Sequence, residues 1–197
     1  MVIGISEKKV KTPIEESIMS DFSGEFVTGL AEQLKKQALS PSIKTEVALE
    51  KVVYKTVRKY IIGTLDIDDQ KIDQILFTHG NTKQEKKYWT DSKPDQNVIV
   101  FGCSNTSDIF IKEPRLGTIY IELKYSKRRG IKASTLPGDL QRSIGQSVIA
   151  SIRHDYVICL IVCEAEIKLG KNDYSEKLRK RLWRDHKIAL IVRNLIK

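Results

Sequence analysis

Asp108, Glu122 and Lys124 are the residues of this 197-residue chain whose types and spacing point most directly to chemistry. Glu122 and Lys124 lie two apart in the run TIYIELKYS (118–126), so in a strand they project from one face. Asp108 opens a second run, SDIFIKE (107–113), and thirteen residues separate it from Glu122. Pro114 and Gly117 mark a turn between the two runs, which predicts a hairpin with all three charges near one end. IFI follows Asp108 and IYI precedes Glu122, and charges in such surroundings are costly unless something compensates them. A divalent cation between Asp108 and Glu122, with Lys124 beside it, would do so.

Other elements must position these groups. The segment IKTEVALEKVVYKTVRKYIIG predicts a helix over 42–62, with Ile43, Val47, Leu49, Val53, Val57, Tyr60 and Ile61 on its apolar face and Gly63 as its stop. Lys44, Lys51, Lys55 and Lys59 fall on the opposite side, whereas Glu46 and Glu50 fall within the apolar stripe. A single glutamate there would snorkel; two, beside an Asp/Glu/Lys cluster, favour an acidic metal pocket. Residues 1–40 predict a helical N-terminal extension, started by Thr12-Pro13 and carrying Phe26, Val27, Leu30, Leu34 and Leu39 at helical spacing, ahead of an expected main domain at 41–197. Residues 66–77 predict a short helix with Ile72, Ile75 and Leu76 inward, and their aspartates resemble a calcium loop only superficially. Residues 79–97 predict a long polar loop or irregular hairpin containing Tyr88 and Trp89. NVIVFG (97–102) is a further strand, followed by the two hairpin runs. Then come a helix over 138–154 with Leu140, Ile144, Val148 and Ile152 inward, a buried strand over 156–167, a basic helix over 175–187 with Leu178, Leu182 and Trp183 inward, and a strand over 188–196. This order is that of an α/β sandwich on a central mixed β-sheet.

The string SDIFI, followed thirteen residues after Asp108 by E-L-K, resembles the PD-(D/E)XK nuclease superfamily. Asp108 matches its aspartate, Glu122 and Lys124 match its E-x-K, and Ser107 stands where the name has proline. The resemblance implies a restriction-endonuclease-like core and a Mg²⁺- or Mn²⁺-dependent deoxyribonuclease. Asp108, Glu122 and the Leu123 carbonyl would hold the ion, and Lys124 would orient or deprotonate the attacking water. The helical glutamate of many members maps onto Glu46 or Glu50, with Glu46 preferred, and Gln146 is similar to a glutamine that some branches place near the metal. GCSNTSD is faintly similar to the serine-bearing loop of archaeal Holliday junction resolvases. Pro94-Asp95 is a literal Pro-Asp, but no apolar run follows it.

With 34 Lys+Arg against 25 Asp+Glu, the formal net charge is +9, which favours an anionic partner, DNA first. Lys127, Arg128, Arg129 and Lys132 directly follow the hairpin and could grip phosphates beside the scissile bond. Three cysteines without CxxC or Cys/His spacing argue against zinc and iron–sulfur sites. No apolar run is long enough to span a membrane and no secretory signal is visible, so a soluble cytoplasmic protein is expected. Branched or distorted DNA is the expected substrate, and a homodimer the expected assembly for cutting it. The alternatives are a sequence-specific restriction-like enzyme and a catalytically inactive nucleic-acid-binding module.

Overall fold

A computed structural model of the chain describes residues 13–78, 83–129, 133–134, 136–164, 167 and 173–195. Helix α1 (Pro13–Lys36) buries Phe26, Val27, Leu30 and Leu34 in the same core as α2 (Glu46–Leu65). Thr45, extended at φ −144°, caps α2 by accepting the Ala48 N–H at 3.1 Å. The helix therefore starts at 46 rather than 42. It also runs through Gly63 to a left-handed cap at Asp66. A mid-helix glycine costs about 1 kcal/mol, whereas burying Leu65 stabilises by about 1.5–3 kcal/mol, so the helix continues. Its buried stripe is Leu49, Val53, Val57, Ile61 and Leu65; Val47, expected inward, is 62% exposed.

Short strands and one unexpected helix follow. A 3₁₀ turn at Ile72–Gln74 and strand β1 (Leu76–Thr78) replace the helix expected over 66–77. The aspartates there serve as caps and partners of Arg58, which pairs with Asp69 and Asp73. Helix α3 (Lys83–Gln96) replaces the expected loop. Its inward positions Trp89, Ser92 and Gln96 are only one-third apolar, and hydrogen bonds satisfy the other two: Gln96 donates to Ser92 and accepts from Ser107. Trp89 is thus a packing residue rather than an exposed stacking platform, the side chain of Tyr88 lies outside the described residues, and Asp95 of the literal Pro-Asp pairs with Lys112 at 2.7 Å.

Strands β2 (Val98–Val100) and β3 (Cys103–Asn105) form a separate two-stranded ribbon. Then come β4 (Ile109–Glu113), β5 (Gly117–Ser126), β6 (Arg128–Arg129), β7 (Ala133–Ser134), α4 (Leu136–Ala150), β8 (Tyr156–Cys163), α5 (Ser175–His186) and β9 (Ile188–Asn194). Helix α4 stops before Ile152, which is 72% exposed, and Leu178 of α5 lies at the edge of its apolar face at 36% exposure.

The five-stranded sheet has the order β1-β4-β5-β8-β9, antiparallel as far as β5 and parallel from β5 to β9. Every residue of β8 is buried, as befits a central strand with both faces covered. Ile119, Ile121, Leu123 and Tyr125 of β5 pack toward α1 and α2, while Tyr120 and its neighbours Val157, Cys159 and Ile161 pack toward α4. The molecule is an α/β protein with a mixed central sheet flanked by helices. Cys159 and Cys163 are buried and lie outside any disulfide.

Candidate active site

The β4–β5 ladder ends at the pair Ile109↔Ile121. One residue earlier, the Asp108 N–H donates to the Ile121 carbonyl at 3.0 Å, and its Oδ2 accepts the Leu123 N–H at 2.7 Å. The aspartate side chain thereby takes the place of a strand partner just where β4 begins and β5 continues. N–H and C=O of one strand residue point to the same flank, so the Leu123 carbonyl also faces the Asp108 side.

Glu122 is 7% exposed and lies beside Cys159 of β8, on the face covered by α4. Tyr120, two residues earlier and fully buried, donates its hydroxyl to Glu122 Oε2 at 3.3 Å. Burial first, and then the like charge of Asp108, push the Glu122 carboxyl up to about 8; the Tyr120 donor and Lys124 pull it partly back. The same burial, with the neighbouring carboxylates, pushes the Tyr120 phenol far above its ordinary range.

Lys124 extends from that face to the N-terminus of α2, where Nζ lies 2.5 Å from Glu46 Oε1. The Glu46 side chain is 45% exposed, so it sits at the rim and not on a buried face as expected. Glu50, one turn on, accepts a hydrogen bond from the Thr78 hydroxyl at the end of β1. Thr78 pairs with Ile109, which places Glu50 on the β4 side of the site and Glu46 on the β5 side. Gln146 pairs with Asn105, three residues before Asp108: its backbone carbonyl accepts the Asn105 amide at 3.0 Å, and its side-chain amide donates to Asn105 Oδ1 at 3.4 Å. Lys127 is exposed just past β5. Arg128 and Arg129 pair in backbone with Ser134 and Ala133, while their side chains, and Lys132 altogether, lie outside the described residues.

Thr78, Tyr120 and Asn105 are the neighbours that spacing did not single out. Tyr120 was within reach of sequence reasoning, since position i−2 of a strand shares the face of Glu122. Among the described residues no group of three or more His, Cys, Asp or Glu side chains is placed to hold a metal ion. Asp108, Glu122 and the Leu123 carbonyl nonetheless fit Mg²⁺, which typically takes one or two carboxylates and keeps waters for its other positions. The upward push on Glu122 beside Asp108 is the electrostatic conflict that a cation would relieve. Comparison with family models, with curated proteins and with solved structures finds no match to the chain.

Proposed function

We propose that this chain is a Mg²⁺- or Mn²⁺-dependent nuclease of the PD-(D/E)XK kind that hydrolyses DNA phosphodiester bonds, with a preference for branched DNA. The observation that carries the reading is the buried Glu122 carboxyl, next to Asp108 across the hairpin and on one strand face with Lys124. When bound, the ion would supply Lewis-acid polarisation of the phosphate and a more acidic water. Asp108 and Glu122 would hold that charge, and the Leu123 N–H fixes the aspartate's orientation. The Tyr120 hydroxyl fixes one oxygen of Glu122. Lys124, held by Glu46, would orient the attacking water and offset charge on the phosphate.

Nicking of supercoiled plasmid tests the reading. Activity should need Mg²⁺ or Mn²⁺ and vanish in EDTA, and Asp108→Asn, Glu122→Gln and Lys124→Ala should each lower it by about 10²-fold or more with folding intact. Near wild-type nicking by any two of the three would remove these residues from the site. Four-way junctions, flaps and linear duplex, compared at equal Mg²⁺, test the substrate preference; one discrete cut on linear duplex with junctions untouched would favour a restriction-like enzyme.

One observation favours a second reading, a binding module without turnover. Lys124 is already ion-paired with Glu46, and such a pair could be a structural remnant. DNA binding by the wild type without cutting in either metal would establish it.

A further inference from the structure

We infer that the tip of the β2–β3 hairpin is a wedge that enters DNA at a strand branch, with Phe101 as the inserted side chain; this deepens the nuclease reading and rests on it for the substrate. Val100 pairs with Cys103, so Phe101 and Gly102 alone close the hairpin, at φ 50° and 78°. A two-residue turn with both φ values positive suits Asn or Asp before glycine, because a short polar side chain tolerates the left-handed region. Phenylalanine is strained there. Phe101 is also fully exposed, and Ile99, two residues earlier, is 65% exposed. Strain combined with full exposure means that the ring gains nothing from packing in the free protein.

The root of the hairpin is held firmly. Asn105 is bonded to both the backbone and the side chain of Gln146, Asn97 Oδ1 accepts from the hydroxyls of Ser104 and Thr106, and Arg153 donates to the Asn97 carbonyl. From that root the chain runs directly into Asp108. Phe101 is seven positions before Asp108, so the ring lies at most about 25 Å along the chain from the carboxylates, under one turn of duplex. A net charge of +9 favours a polyanionic partner, and DNA offers gaps between base steps that accept an apolar wedge. Unstacking costs least where pairing is already broken, which points to a branch rather than a continuous duplex.

The test uses the full-length protein in EDTA with four-way junctions and flaps that carry 2-aminopurine at the branch point, and a linear duplex as control. Wild-type protein should raise the branch-point fluorescence on binding. Phe101→Asn should abolish the rise, melt no lower than wild type because asparagine suits the turn, and lose about tenfold in affinity for the junction but not for the duplex. Phe101→Trp should restore the rise. Bound wild-type protein with unchanged fluorescence, or an equal rise with Phe101→Asn, would overturn the wedge. So would a Phe101→Asn change confined to self-association or to binding of anionic vesicles, which would assign the ring to a protein or lipid contact. Unstacking by a protein that never cuts in Mg²⁺ would overturn the nuclease reading and leave the wedge, and cutting without unstacking would do the reverse.

Discussion

Glu122 is at its least favourable in the fold while its carboxyl is ionised. Its ordinary value of 4.5 rises to about 8 through burial and the nearby Asp108. The protonated form is therefore the one the metal-free fold prefers. Its favourable contribution is complete below pH 4.5 and is lost as pH rises through about 8. Glu122→Gln, which keeps the shape and cannot ionise, should flatten the decline of the metal-free melting temperature across that window. Proton and cation also compete for the same oxygens, so Mg²⁺ should raise the melting temperature of the wild type more near pH 8 than near pH 6. Equal Mg²⁺ shifts at both pH values, or an unchanged slope in Glu122→Gln, would separate Glu122 from any bound cation.

At the scale of elements, α2 is the part that brings in groups from a distant stretch of sequence. Its first two turns present Glu46 to Lys124 and Glu50 to Thr78, on opposite flanks of the hairpin. Glu46→Gln releases Lys124 and should slow single-turnover cutting about tenfold, with a stability loss of about 1 kcal/mol, because Glu46 lies at the rim although Lys124 is largely covered. Glu50→Gln still offers Thr78 an acceptor oxygen and should cut at nearly the wild-type rate. Equal small effects from both would make the two glutamates structural. Much of this was legible in the sequence: the hairpin with Asp108, Glu122 and Lys124, the helix that carries both glutamates, and the buried β8 all follow from strong local patterns. The losses have physical causes. Helix α3 hides because Ser92 and Gln96 face inward and are satisfied by hydrogen bonds, which breaks the apolar period. Strand β1 exists through its pairing with β4, more than thirty residues on, and no local propensity reports that. The β2–β3 turn hides because phenylalanine stands where the turn suits asparagine.

The whole molecule sets the electrostatics of binding. Lys51, Lys55 and Lys59 line the exposed side of α2, Lys127 follows β5, and α5 carries Lys177, Lys180 and Arg181. Helix α5 ends beside the start of β9, where Ile188 pairs with Val157 near the start of β8, so its first turn lies toward the sheet end where β5 presents Lys124. Two cationic regions thus share that end. DNA affinity should fall about tenfold or more between roughly 50 and 200 mM salt, and charge reversal of Arg128 and Arg129 should flatten that slope. A slope left intact by that pair but flattened by reversal of Lys177 and Arg181 would place the main phosphate contacts on α5. Among the described residues no helix is long and apolar enough to cross a membrane.

The short reach of the β4–β5 hairpin also bears on how the chain assembles. Asp108 and Leu123 meet across 15 residues, whereas Lys124 meets Glu46 from about 80 residues away, and β5 meets β8 across the α4 crossover. Closing the shorter loop costs less entropy, so the hairpin is the natural early contact. In that early state the two carboxylates face each other in water, where both ionise cheaply. Their conflict arises only when β8 and α4 dock and expel the solvent. A ligand that relieves it has little to act on in the climb to the folding transition state, and its grip is felt in how long the native state survives before it opens.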